Sequence, residues 1–407
     1  MSPDVNLKPI ALRASASLIA LTATFAPVNA AEWDLGVGGY FEAQLGYASY
    51  NSPTAGDFDG VDAVASSEFY FRPSITLDNG IKLTTRIDFE GHVGESGAGG
   101  EFDEFSFAVR GSFGEIIVGK TDTPGNDMHS GAPMGYGPVV NFTGTSSNAL
   151  GSFIPFMNVH GNRMVGDDFH RGTLGSTFAS NSGPETHGRI KYISPTIAGF
   201  QLGASFGNES PNGAPDRDNF QDVALRYAGE FGAIRVAATG SYGVADNSRD
   251  PNARPEVWGA GINIGYGGLT VGGSFAESNN SSNEITDGSA MEVGASFMTG
   301  PWSFGLNYMC GKNVDDEHAG FGPRERFEAI TFTTNYYLTG HPQRPVTPPK
   351  PGAGYDSTYG LAQGVSVVLT GFASYASFKE EVGDGGFGTP GDDVDGFVIG
   401  TGIKVSF

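Results

Sequence analysis

A chain of 407 residues with a single cysteine cannot hold an internal disulfide, and a net charge of −22 argues against a nucleic-acid partner. Glycine supplies 63 residues, about twice the usual share of ~7%. No stretch approaches the ~20 apolar residues of a membrane-spanning helix.

The first 30 residues have the layout of a secretory signal peptide. Lys8 and Arg13 form a positive start, residues 14–26 are apolar, and Val28-Asn29-Ala30 is a small-residue site with cleavage expected before Ala31. With Asp4 this segment carries +1, which leaves −23 on residues 31–407.

From Trp33 onward the apolar period is two. In 33–47, Leu35, Val37, Phe41 and Leu45 share one face, while Asp34, Tyr40, Glu42 and Gln44 share the other. The segment 65–77 repeats this, with Phe69, Phe71 and Ile75 against Glu68, Tyr70 and Arg72. Asp78-Asn79-Gly80 then makes a tight turn, because Asn-Gly tolerates the positive φ of hairpin turns. Residues 81–93 return with Ile87 and Phe89 against Lys82, Arg86 and Asp88. Further strands are expected at 104–110, 115–120, 188–194, 199–206, 222–228, 233–242, 257–266, 269–276, 290–297, 302–310, 327–338, 365–378 and 394–407, about sixteen in all. Arg72-Pro73 marks an expected bulge or strand end, since proline removes a ladder bond. Cys310 reads as a packed small residue of its strand, and no histidine, cysteine and carboxylate spacing marks a metal or cofactor site.

Connection lengths alternate. Those at 78–80, 111–114, 195–198, 229–232, 266–268 and 299–301 are short; those at 51–64, 121–187, 208–219, 244–255, 277–288, 312–324 and 379–392 are long and polar. Short turns on one side and long loops on the other are the mark of a transmembrane β-barrel. Closure pairs every backbone group that lipid leaves unsatisfied. The expected fold is therefore all-β: a transmembrane antiparallel barrel of about sixteen strands over residues 31–407, apolar outside and polar inside. Trp33, Tyr47, Trp258, Tyr266, Trp302 and Tyr336 are expected in girdles at the lipid interfaces. The connection at 339–357 departs from the rule, being long and Pro-rich on the short side, and reads as a stiff linker.

The longest stretch without alternation is 121–187. It is Gly-rich, carries Asp122, Asp127, Asp167, Asp168 and Glu185, and has apolar residues such as Phe142, Phe153 and Phe156 with which to pack. A loop of that length inside a compact domain is functional or it counts against the fold. It is expected to fold into the barrel and narrow the bore.

Three stretches resemble the general bacterial porins of the Gram-negative outer membrane. Gly111-Ser112-Phe113-Gly114-Glu115-Ile116-Ile117-Val118-Gly119-Lys120 resembles the segment leading into the porin constriction loop. Arg189-Ile190-Lys191-Tyr192-Ile193-Ser194-Pro195 with Gly199-Phe200-Gln201-Leu202 resembles the strand-turn-strand after it. The final strand ends in Phe407, with Ile399, Ile403 and Val405 on its face, like the terminal strand read by the barrel-assembly machinery. The resemblance implies a homotrimer in contact with outer-membrane lipid and lipopolysaccharide, and passive diffusion of small polar solutes and ions.

On the lumen-facing parity the sequence places a basic wall of Arg72, Lys82, Arg86, Lys120, Arg189 and Lys191. Facing it across the bore, the loop acids Asp122, Asp127, Asp167, Asp168 and Glu185 would set up a transverse field. These two sets nearly balance, so the acidic outer loops tip the expectation to modest cation selectivity. Asp384, Asp392, Asp393 and Asp395 read as a solvated outer loop, without calcium-loop spacing. A channel for one particular solute fits the same residues. A barrel enzyme does so less well, because His129, His160 and His170 have no accompanying nucleophile motif. A secreted lectin-like β protein would not need the loop asymmetry or the terminal Phe.

Overall fold

A computed structural model describes residues 33–51, 60–93, 101–131, 188–207, 218–246, 254–279, 288–314, 324–340, 364–379 and 394–407. Residues 1–32 and most of the long loops lie outside these residues.

All sixteen expected strands form. In chain order they are β1 (Trp33–Asn51), β2 (Gly60–Thr76), β3 (Lys82–Val93), β4 (Glu101–Gly111), β5 (Gly114–Lys120), β6 (Gly188–Ile193), β7 (Phe200–Gly207), β8 (Asp218–Phe231), β9 (Ile234–Asp246), β10 (Glu256–Tyr266), β11 (Leu269–Asn279), β12 (Gly288–Thr299), β13 (Trp302–Val314), β14 (Arg324–Thr339), β15 (Ser366–Lys379) and β16 (Val394–Ser406). Each pairs antiparallel with its sequence neighbours, and β1 pairs with β16 to close the barrel. Closure extends to the last residue. Gly39 N–H donates to the Phe407 carbonyl at 2.9 Å, and Phe407 N–H donates to Gly39 at 3.0 Å.

The packing is inside out relative to a soluble protein. On β1, Leu35, Phe41 and Leu45 are more than half exposed, whereas Glu42 and Gln44 between them are 3% exposed. The same alternation runs along β6 and β7. Lipid is the solvent this outer face requires. The named interfacial aromatics face outward, and Trp302 packs on Tyr336 with ring centroids 4.7 Å apart.

The turn at 77–81 forms as expected. Gly80 takes φ +80°, and the Asn79 side chain accepts the Ile81 N–H. Pro73 differs from expectation. The β2–β3 register is the same on both sides of Arg72-Pro73, so proline removes rungs without making a bulge. The register shift falls instead between β3 and β4, at Asp88/Phe89. Cys310 is half-buried on the outward parity of β13, directly opposite Glu328. The ends of the Pro-rich connection are tied together, since Thr339 Oγ1 donates to the Val365 carbonyl and accepts the Val367 N–H. Its middle lies outside the described residues.

The wall is lowest at β5 and β6, where the strands have 7 and 6 residues. There the chain leaves the sheet and turns inward.

Candidate functional site

Residues 121–131 run along the inside of the barrel. They begin with one helical turn, α1 (Pro124–Asp127), whose N-cap Thr123 accepts the Asn126 N–H at 3.2 Å and whose first position is a proline. Both choices favour a helix start, because the N-cap oxygen meets an orphan donor and proline has none to lose. This Thr-Pro signal was legible in the sequence, although no helix was expected there. Met128, buried with Ile193 and Ala224, pins the turn to the wall. Further on, Ser130 and Thr239 hydroxyls meet at 2.9 Å, and Thr239 also donates to the Met128 carbonyl. Gly261 makes room for the segment, since a Cβ there would overlap the Ser130 carbonyl oxygen. His129 Nε2 then comes within 3.7 Å of Glu292 on β12. The first eleven loop residues thus reach from β5 across the inner faces of β7 to β12.

The inner wall of β2 to β8 carries a belt of charge. The unbroken β2–β3 register puts Arg72 opposite Arg86, and Arg86 continues through Ser106 and Gly119 to Arg189. One inward step away is a row of carboxylates, with Asp88 opposite Glu104. The rows interlock. Arg72 Nη2 lies 2.6 Å from Asp88 Oδ2, Arg72 Nε 3.2 Å from its Oδ1, and Arg86 Nε 2.6 Å from its Oδ2. Arg86 also pairs with Glu104, and the Arg72 guanidinium lies 4.5 Å from the Tyr70 ring centre. Arg189 is 3.4 Å from Asp222, which accepts from Ser205.

Lys191 joins this belt to the loop. Its Nζ donates to Thr121 Oγ1 at 3.0 Å, to the Asp122 carbonyl at 2.9 Å and to Asp127 Oδ2 at 2.5 Å. The Asp122 carboxyl is pushed up to about 6, first by burial and then by the Asp127 charge. Lys191, Arg86 and the Asn126 amide oppose that rise.

This geometry corrects the expected site. Arg72, Arg86, Arg189 and Lys191 do line the inside, but Lys120 does not. It sits opposite Phe105 and Gly188, on the outward parity of Ile116 and Val118. Lys82 faces inward at the short-turn end, level with Arg110, which pairs with Glu115. It stands four residues, roughly 13 Å, from Arg86 along the strand. Asp122 and Asp127 do not face the basic wall across the bore. They lie against it, because Lys191 holds the loop start on the same side. Asp167, Asp168 and Glu185 lie outside the described residues, as do His160 and His170.

Asp88, Glu104 and Asp222 were missed as belt members. Asp88 shares inward parity with Arg86 and was legible; pairing Glu104 and Asp222 with their cations needed the register across strands. The remaining inner wall, β9 to β16, is mostly uncharged. Asn335 donates to Ser303 at 3.1 Å and accepts from Thr370 at 2.7 Å, and the Thr331 and Ser374 hydroxyls meet at 2.9 Å. Its charges include Glu292 and, at the closing seam, Lys404, 3.3 Å from Glu42.

The fold has solved counterparts. OmpT of Vibrio cholerae, an outer-membrane protein in its trimer form, aligns at a TM-score of 0.54 and 15% identity over 93% of this chain and 100% of that one. An anion-selective porin from Comamonas acidovorans aligns at 0.53 and 14% identity, over 92% and 100%. Salmonella typhi OmpF in complex with daunomycin aligns at 0.57 and 13% identity, over 93% and 98%. At such identity these likenesses show the barrel alone. No curated protein matches the sequence. The Gram-negative porin family matches residues 14–341, most of the chain and all of the first fourteen strands. This chain belongs to the Gram-negative porin family.

Proposed function

We propose that the protein is a water-filled channel for passive diffusion of small hydrophilic solutes and ions across the outer membrane, with modest cation selectivity. The observation that carries this is a polar, charged inner wall with the 121–131 segment laid along it. Residues 132–187, with Asp167, Asp168 and Glu185, complete the constriction in this reading. Residues 1–30 are its export signal, and Phe407 marks the closing strand for assembly. The working unit is a homotrimer set in lipopolysaccharide and lipid; the trimeric Vibrio cholerae neighbour supports that assembly.

Ion preference follows from a near balance. The belt holds Arg72, Arg86, Arg189 and Lys191 against Asp88, Glu104, Asp122, Asp127 and Asp222. Residues 31–407 carry −23 in all. At 0.1 M salt, charges beyond ~10 Å are screened and the belt decides; at 0.01 M the reach grows to ~30 Å and the acidic vestibule adds to cation attraction. Reversal potentials across a KCl gradient at two mean concentrations test this. A cation preference that grows at low salt is expected, and an anion preference there overturns it.

An enzymatic reading is weaker. Ser274 donates to Glu292 at 2.7 Å, and His129 approaches the same carboxylate oxygen. The carboxylate stands between hydroxyl and imidazole, whereas a nucleophilic serine needs the imidazole to take its proton.

A further inference from the structure

The inner wall of β10 to β14 holds four polar groups that the charged belt does not use. Asn263 Oδ1 on β10, Ser296 Oγ on β12, Asn307 Nδ2 on β13 and Thr333 Oγ1 on β14 are buried with no hydrogen-bond partner among the described residues. None of the four residues is more than 8% exposed. Buried polar groups in folded proteins almost always have a partner, so four orphans on one patch of wall ask for one. Register explains why they do not serve one another. In one inward row, Gly272 and Gly294 separate Asn263 from Asn307; in the next, Gly305 separates Ser296 from Thr333. Strand spacing puts the two hydroxyl residues about 10 Å apart and the two asparagines about 14 Å apart.

The neighbouring strands show the contrast. Thr331 and Ser374 are direct cross-strand partners, as are Ser303, Asn335 and Thr370 in turn, and these hydroxyls and amides bond one another. Glycine inside a strand marks a bulge or a place where another group comes close to the backbone. The register from β10 to β14 is unbroken, so Gly272, Gly294 and Gly305 mark no bulge. Gly261, on the same wall, already admits the Ser130 carbonyl in this way, and the Asn263 amide lies over Gly272. The recess is itself uncharged, with one charge at each border. Glu292, one inward step toward the long loops, accepts from Ser274 and faces His129. Arg235 on β9 lies over Gly265 and donates to the Gly267 carbonyl at 3.0 Å.

We infer that this recess is a binding site for a small, neutral, polyhydroxylated solute, a sugar or sugar alcohol, lying over the glycines with its hydroxyls on Asn263, Ser296, Asn307 and Thr333. The four groups are an acceptor, a donor and two hydroxyls that do both, and a ligand whose every hydroxyl both donates and accepts answers all of them. An anion would offer acceptors alone and a cation donors alone. A charged solute would also lose hydration against a wall that returns no counter-charge. A six-carbon chain with a hydroxyl on each carbon spans the gaps that the glycines leave, with a hydrogen bond at either end. The inference rests on the channel reading given above only for access from the lumen.

The test is saturation-transfer NMR of the detergent-solubilised barrel with a hexitol, and with a zwitterionic amino acid of similar size in parallel. Single-channel current in KCl is recorded with each solute added. The wild type is expected to give saturable transfer to the hexitol and a saturable fall in current, and neither with the zwitterion. Asn263→Leu/Asn307→Leu, and separately Ser296→Ala/Thr333→Val, should bind the hexitol at least about fivefold more weakly, each read against its own hexitol-free current. The second pair removes only hydroxyls, so it decides the matter even where the leucine pair fails to assemble. A linear, unsaturable response of the wild type overturns the proposal, as does equal saturation by the zwitterion. Unchanged hexitol binding in the variants overturns it too, whatever happens to their melting. Wild-type conductance without hexitol binding sinks only this proposal, and hexitol binding without conductance sinks only the channel reading.

Discussion

Lys191 Nζ lies 2.5 Å from Asp127 Oδ2, with both side chains at most 3% exposed. The strand that follows the long loop therefore holds the loop's first turn in place. Removing one partner of a buried pair strands the other's charge, at a cost of about 3–5 kcal/mol. Lys191→Met should lower the thermal unfolding temperature of the detergent-solubilised barrel and broaden the distribution of single-channel conductances. Lys191→Met/Asp127→Asn should recover much of the stability. Equal melting of single variant and wild type would show that the pair does not anchor the loop.

Asp122 supplies a pH dependence. Its carboxyl is raised to about 6, by burial first and by Asp127 second. Between the usual carboxylate value and about 6 the folded protein binds more protons at this site than the unfolded chain does. This group's contribution to stability therefore falls as pH rises through that window. In the channel the sign is direct. From pH 7 to pH 5 the belt loses most of the Asp122 negative charge, so cation preference should weaken. Reversal potentials at the two pH values, for wild type and Asp122→Asn, check this. The variant should show a smaller pH step, and an undiminished step assigns the titration elsewhere.

Gly261 carries a steric prediction. A Cβ there meets the Ser130 carbonyl, so Gly261→Ala should push the 128–131 segment off the wall and toward the bore axis. Lower single-channel conductance with normal barrel yield is expected. Unchanged conductance would mean that the segment yields without narrowing the bore.

The last residue closes the barrel through its two bonds with Gly39. Deleting Phe407 exposes backbone groups of β1 as a sheet edge. Assembled barrel, read as the heat-modifiable band on a gel, should fall sharply, while the barrels that do form conduct normally. Full yield from the deletion would remove Phe407 from assembly.

The sequence by itself determined the barrel. Its period of two sorts Leu35, Phe41 and Leu45 from Glu42 and Gln44, and a sheet with one continuous apolar face must close and meet lipid. Strand number and turn side followed from the same alternation, because each is a local property of the chain. Facing was legible where the alternation was regular, as at Arg72, Arg86, Arg189 and Lys191. It failed at Lys120, because one residue of parity at a strand end reverses the face. What only the tertiary structure decided is which charges meet. Asp88 and Glu104 neutralise Arg72 and Arg86 from adjacent strands, and Lys191 reaches back 64 residues to draw Asp127 onto its own side of the bore. Such pairings depend on register between strands and on where the loop lands. Both are set by closure of the whole barrel, which no local pattern encodes.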